Sequence, residues 1–169
     1  LIGGHILKEF SSLGSRPGIA LYGEKPNLLE MQSEQAEKWK NLPLKWVMTL
    51  RSEIIALHSL KKGDRVSYGG TWAAPRNSLI GIVPIGYSDG YHRLLSNRGL
   101  LLFRDQKVPV VGKVCMDYIM VDLTEAVKEG EAKVGEPVIL FGNHNQKVLA
   151  VSEIAKLAET ISYELLCGI

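Results

Sequence analysis

Through most of the second half of the chain, apolar and polar residues alternate with a period near two, a rhythm that predicts short strands. From Lys45 onward Val47, Thr49, Arg51 and Glu53 fall on one side and Met48, Leu50, Ser52 and Ile54 on the other, as in a half-buried strand. Leu60-Lys61-Lys62-Gly63-Asp64-Arg65-Val66 reads as a turn opening the next strand. Further strands are expected over residues 78–84, 99–103, 107–114, 118–123 and 137–141. Short strands at this spacing, with turn residues between them, argue a sandwich or barrel over alternating β/α units. The two ends differ from this. Ser152-Glu153 resembles a helix N-cap with an acidic first turn, Ile154, Leu157 and Ala158 mark one face of a short helix, and a second helical turn is expected over 163–167. Residues 1–23 read as a helix end, a loop and a short buried strand at Gly18-Ile19-Ala20-Leu21-Tyr22. Pro26 and Asn27 break that pattern, and residues 28–40 form a Glu/Gln/Lys-rich stretch of helical character.

Composition adds limits. With 169 residues, 46% hydrophobic and 22% charged, the chain can build one domain with a real core plus a piece of another. A net charge of +2 and the absence of long like-charge runs give no reason to expect nucleic acid or a membrane surface as partner. Cys115 and Cys167 make neither a disulfide framework nor a zinc-ligand spacing, so a reducing cytoplasm is the expected setting and no metal is expected. The apolar run 79–85 is far shorter than the roughly 18 residues of a membrane span. The chain opens at Leu1 without methionine and stops at Ile169 after an apolar run, so a fragment of a longer protein is expected.

Three loops hold the candidate chemistry. Tyr68 sits between Ser67 and the Gly69-Gly70 pair at a strand end. The residues alone leave it open between a packed tyrosine with a bonded hydroxyl and one facing a ligand. A free phenol titrates near about 10, so service as a base at neutral pH calls for cationic neighbours or a proton relay. Gly86 and Gly90 bracket Tyr87-Ser88-Asp89 in a turn with exposed aromatics, and Tyr91, His92 and Arg93 follow. Cys115-Met116-Asp117 follows a strand; its cysteine reads as a packed small residue, and Asp117 is expected to bond nearby backbone amides. The four histidines are scattered, and neither a Gly-x-Ser-x-Gly elbow nor a Gly-rich phosphate loop occurs. Spacing by itself leaves the function open.

Five ordered segments together resemble one family. Arg16-Pro17-Gly18-Ile19-Ala20-Leu21-Tyr22-Gly23, Ser67-Tyr68-Gly69, Pro84-Ile85-Gly86-Tyr87-Ser88-Asp89-Gly90, Gly112 through Asp117, and Thr160-Ile161-Ser162-Tyr163-Glu164 are similar to the carboxy-terminal part of alanine racemases, fold-type III pyridoxal-phosphate enzymes. The resemblance implies a mainly β, barrel- or sandwich-like carboxy-terminal domain over residues 46–169 with a short C-terminal helix. It also implies a connector over 25–45 and, over 1–24, the last strand of an α/β barrel otherwise missing from this chain. It implies that Tyr68 is the catalytic base on the L-face, reaching into a partner subunit of a homodimer. The opposite base would be a lysine of the barrel, also the residue that holds the cofactor, and no trace of its motif occurs here; the isolated chain is therefore expected to be inactive. Arg16 would face the pyridine nitrogen of pyridoxal 5'-phosphate. Gly18 and Ile19 amides, with the Tyr163 hydroxyl, would hold its phosphate. The Met116 amide would bind the substrate carboxylate, and Tyr87 and Arg93 would belong to the entryway. Lys113 stands where the family commonly has arginine, residues 24–45 differ in detail, and the usual tail beyond Cys167 is absent.

The resemblance leaves a serine or broad-specificity racemase of the same fold as one alternative. A barrel-plus-β decarboxylase of basic amino acids is disfavoured by Met116 and by Arg16 at the ring nitrogen. A non-catalytic β-barrel binding module for nucleic acid would show a basic stripe interleaved with aromatics, against 7% aromatic residues here.

Overall fold

The computed structural model describes residues 16–26, 33–127, 131–145 and 147–169. The helix end and loop expected over 1–15, and residues 28–32 of the helical stretch, lie outside them. The chain divides into two compact units, residues 1–47 and 48–169.

In the first unit the apolar run Gly18–Tyr22 is a 3-10 helix, not the strand expected. Pro17 adopts right-handed helical angles and Gly18 has φ 57°, so the backbone curls before it can extend. Ile19 alone of that turn is buried, while Leu21 is 66% exposed. Helix α1 (Ser33–Lys40) follows in the helical stretch and carries Glu34–Lys38 and Glu37–Lys40 pairs at 2.9 and 2.5 Å on its exposed surface. The Val47 N–H then returns to the Tyr22 carbonyl at 3.3 Å.

The second unit is antiparallel throughout. Its strands are β1 (Leu50–Glu53), β2 (Ala56–Leu60), β3 (Arg65–Val66), β4 (Trp72–Ala73), β5 (Ser78–Val83), β6 (Leu100–Phe103), β7 (Gln106–Pro109), β8 (Ile119–Asp122), β9 (Pro137–His144) and β10 (Lys147–Leu149). They form one sheet in the order β1-β9-β6-β7 with β10 on β9, a second in the order β2-β5-β8, and the small pair β3-β4. The sheets join twice. A Val110–Val121 bridge and a Val111 N–H to Met120 carbonyl bond of 2.8 Å link β7 to β8. At the other side Ile54 donates to Glu136 beside β9 and Ile55 donates to Ile82 of β5, so β1 passes into β2 at a shared corner.

Strands β6 and β8 explain why this closure is stable. Leu101, Leu102 and Phe103 of β6, and all of Ile119, Met120, Val121 and Asp122 of β8, are buried, the signature of strands covered on both faces. Each fully buried Leu, Ile or Phe contributes about 1.5–3 kcal/mol, against at most about 1 kcal/mol for an exposed ion pair, so the apolar interior decides the fold.

Two helices close the chain, α2 (Val151–Leu157) and α3 (Ser162–Cys167). The capping role expected of Ser152 is not found, because α2 starts one residue earlier. Ala150 is the extended N-cap residue, and its carbonyl accepts the N–H groups of Glu153 and Ile154. Among the described residues no helix is long and apolar enough to cross a membrane, and no group of three or more His, Cys, Asp or Glu is placed to hold a metal ion.

Candidate active site

Three loops of the β-domain meet at one rim, and glycine is what lets them touch. The first follows β3: Ser67, then a 3-10 turn Tyr68–Gly70. The second follows β5 and contains the turn Tyr87–Asp89. The third, residues 110–118, connects β7 to β8. A Cβ on Gly112 would stand 2.6 Å from the Ser67 Cβ, so the third loop lies directly on the first. A Cβ on Gly86 would stand 2.1 Å from the Met116 carbonyl oxygen and 2.4 Å from that of Cys115, so the second lies directly on the third.

Hydrogen bonds fix these contacts. Met116 O accepts from the Ser88 N–H at 3.0 Å and the Ser88 hydroxyl at 2.8 Å; Cys115 O accepts from the Tyr87 N–H at 3.1 Å. Asp117 does not bond nearby amides as expected: its Oδ1 accepts from the Ser88 hydroxyl at 3.1 Å, because Ser88 is the donor this packing brings within reach. Asp89 Oδ2 accepts from the Gly86 N–H at 2.9 Å and closes the second loop on itself. The Met116 N–H meets no hydrogen-bond acceptor among the described residues. It is an open donor.

Tyr68 is 73% exposed, so the packed-core reading does not hold. Its phenol stands at a pocket of about 710 Å³ whose walls include His58, Arg65, Ser67, Cys115 and Tyr118. Arg65 Nη1 donates to the Gly70 carbonyl at 2.6 Å. The Arg65 guanidinium and the His58 imidazole line the same pocket as Tyr68. The signal for Arg65 was its place three residues before Tyr68 ahead of a tight turn; His58 had none, because the short, mixed run around it does not stand out as a strand.

The other expected site residues fall as follows. Met116 and Tyr87 are 55% and 48% exposed, and Arg93 is exposed on the loop after Tyr91. Tyr91 itself is buried at 4%, against the expectation of an exposed aromatic, and burial pushes its phenol well above the ordinary value. It packs against Gly99, where a Cβ would stand 2.4 Å from its hydroxyl. Tyr163, on α3, is 42% exposed, and its hydroxyl has no partner among the described residues. The end of α3 reaches the second loop: a Cβ on Gly90 would stand 2.2 Å from the Gly168 carbonyl oxygen. Arg16, Gly18 and Ile19 belong to the first unit; there Arg16 is exposed and the N–H groups of Gly18 and Ile19 meet no acceptor among the described residues. Among the described residues, nothing lies within 4 Å of a Cβ built on Gly18. Within the first unit, two open amides at a glycine near an exposed guanidinium are donors of the kind that suit an anion such as phosphate.

On the glycine-packed rim of this antiparallel β-domain the open Met116 amide and the exposed Tyr68 and Tyr87 side chains stand on neighbouring loops. The chain belongs to the alanine racemase C-terminal domain family, whose model matches residues 47–169. It is 41% identical to an alanine racemase of Halothermothrix orenii over 162 residues, which covers 96% of this chain and 40% of that protein. Among solved structures it is similar to the alanine racemase of Bacillus anthracis with bound L-Ala-P, with TM-score 0.77, 30% identity and coverage of 90% of this chain and 36% of that one. It is also similar to the alanine racemase of Bartonella henselae with covalently bound pyridoxal phosphate, with TM-score 0.74, 30% identity and coverage of 89% and 38%. The chain thus spans about two fifths of the length of the relatives it matches.

Proposed function

We propose that this chain is the carboxy-terminal portion of a homodimeric cytoplasmic alanine racemase, a pyridoxal-phosphate isomerase that interconverts L- and D-alanine and supplies D-alanine for peptidoglycan. In this reading residues 1–24 end the cofactor-binding barrel, 25–45 connect, and 46–169 form the β-domain. The observation that carries it is the exposed Tyr68 phenol on the same glycine-packed rim as the open Met116 amide.

When bound, pyridoxal phosphate weakens the α-C–H bond of an attached amino acid by spreading the electron pair that bond leaves behind. As the phenolate, Tyr68 would accept the α-proton on the L-face at its oxygen, and as the resulting phenol it would return one there. A barrel lysine outside these residues serves the other face. Two bases on opposite faces give inversion. The Met116 N–H holds the substrate carboxylate and so orients the α-hydrogen toward Tyr68. Arg16 meets the ring nitrogen with a group that stays protonated and cannot hand over a proton, which restrains side reactions. The amides of Gly18 and Ile19 and the Tyr163 hydroxyl hold the phosphate, while Tyr87 and Arg93 border the entry. The Cys115 side chain takes no chemical part.

In the complete enzyme, Tyr68→Phe is expected to lower racemisation by at least about a hundredfold, with the absorbance of the bound cofactor nearly unchanged. Parental activity in that variant removes Tyr68 from the mechanism. The ratio of kcat/KM for alanine and for serine, measured on the same protein, separates alanine racemisation from the serine alternative; a large serine preference rejects the alanine assignment.

A further inference from the structure

Ser67 is the non-glycine residue at positive φ on the three rim loops. Its φ of 65° with ψ of −178° lies in a region that belongs almost wholly to glycine. What serine has there and glycine lacks is a hydroxyl. That hydroxyl donates to the Lys113 carbonyl at 2.8 Å and stands 3.6 Å from the Cys115 Sγ, across 46 and 48 positions of sequence. Gly112 leaves the space the Ser67 Cβ needs for this approach. Beyond the tyrosine, the Gly70 N–H returns to the Ser67 carbonyl at 3.1 Å, and Arg65 holds the Gly70 carbonyl. Tyr68 therefore hangs on a turn pinned at both ends. The Ser67 pin is fastened to the loop that carries Met116.

We propose that Ser67 is a positioning residue whose hydroxyl, bonded to the Lys113 carbonyl, fixes the Tyr68 phenol relative to the Met116 amide, so that proton acceptor and carboxylate anchor keep one spacing. The inference rests on the role proposed for Tyr68 and deepens it. Ser67 moves no proton itself. It acts through Tyr68, and a misplacement of about 1 Å at such a group is enough for losses of one to two orders of magnitude.

The test uses the complete enzyme. The equilibrium constant of a racemisation is one, so any variant lowers kcat/KM equally in both directions, and α-deuterium isotope effects are needed to show which face is disturbed. Ser67→Gly removes the hydroxyl and relieves the backbone; Ser67→Ala removes the hydroxyl and keeps the strain. For Ser67→Gly we expect a melting temperature equal to or above the parent's, faster hydrogen exchange at the Gly70 amide in the cofactor-free protein, and kcat/KM lower by about tenfold. The isotope effect should rise with L-alanine and not with D-alanine. Ser67→Ala should show the same kinetics at a lower melting temperature. Isotope effects unchanged in both directions, or parental kinetics in Ser67→Gly, overturn the inference. If Tyr68→Phe keeps parental activity, the reading of Tyr68 fails and takes this one with it; if Tyr68→Phe is inactive while Ser67→Gly is parental, this inference alone falls.

Discussion

The rim loops and the turn between β6 and β7 both place non-glycine residues at positive φ, Ser67 in one and Arg104 and Asp105 in the other, yet different forces fasten them. At the β6–β7 turn the fasteners are long charged side chains. Arg104 Nε and Nη2 donate to the two Glu136 carboxylate oxygens at 2.6 and 2.7 Å, and Nη2 also reaches the Glu131 carbonyl at 2.8 Å. Nearby, Lys107 pairs with Glu153 at 2.6 Å, and His144 Nδ1 lies 2.8 Å from Asp105 Oδ1. At the rim the fasteners are backbone atoms in direct contact across Gly86 and Gly112, helped by the short hydroxyls of Ser67 and Ser88. A long side chain can follow a moving partner through its rotamers, whereas a backbone against a backbone has no slack. The ion-paired turn is secured; the rim is positioned.

The comparison breaks most visibly at Gly86. In Gly86→Ala the new methyl meets the Met116 and Cys115 carbonyls at distances no rotamer can relieve, and a loss of about 3 kcal/mol is expected in thermal or denaturant unfolding. Parental stability there means the rim has play. Arg104→Ala should cost much less, about 0.5–1 kcal/mol, and the loss should shrink as salt is raised. A loss as large as that of Gly86→Ala erases the distinction.

A smaller effect lies in pH. The Arg104 guanidinium, bonded to its carboxylate, holds Glu136 below the ordinary glutamate value. A carboxylate depressed in the folded state contributes stability above its unfolded value of about 4.3 and loses it as the pH falls through the folded value. Glu136→Gln should therefore flatten the decline in melting temperature below about pH 4.3. An unchanged slope means the pair adds nothing to acid stability. The smallest effect is expected for Tyr68→Phe on stability. An exposed phenol with no partner among the described residues can lose its oxygen within about ±0.5 kcal/mol, and a larger shift would make Tyr68 part of the scaffold.

The strands that alternate or run fully apolar were legible in the sequence: β5, β6, β8 and β9 each begin within a residue of the expected place. Strand β2 was not, since Leu57-His58-Ser59-Leu60 is too short and mixed to stand apart from the strand before it, and Ile54 and Ile55 hide the corner between the two. Three-residue β10 left no pattern at all. Gly18–Tyr22 was misread because an apolar run between glycines looks the same whether it extends or curls, and only the angles of Pro17 and Gly18 decide. For the site, Tyr68, Tyr87 and Met116 stand out in the sequence through their motifs, and all three are exposed on the rim loops. The His58 wall and the Ser67–Lys113 bond join positions well separated in sequence and exist only after the strands pair.

The five-letter run Gly86-Tyr87-Ser88-Asp89-Gly90 shows what such a motif reports. Gly86 is closed to any side chain by Met116, and Gly90 by both its φ of 87° and the Gly168 carbonyl. Ser88 is spent on bonds to Met116 and Asp117 of the third loop, and Asp89 on the Gly86 amide of its own. Four of the five letters are therefore dictated by mechanics. When sequences of this kind are sorted by the molecules they accept, the variation worth reading in this run is confined to the ring of Tyr87.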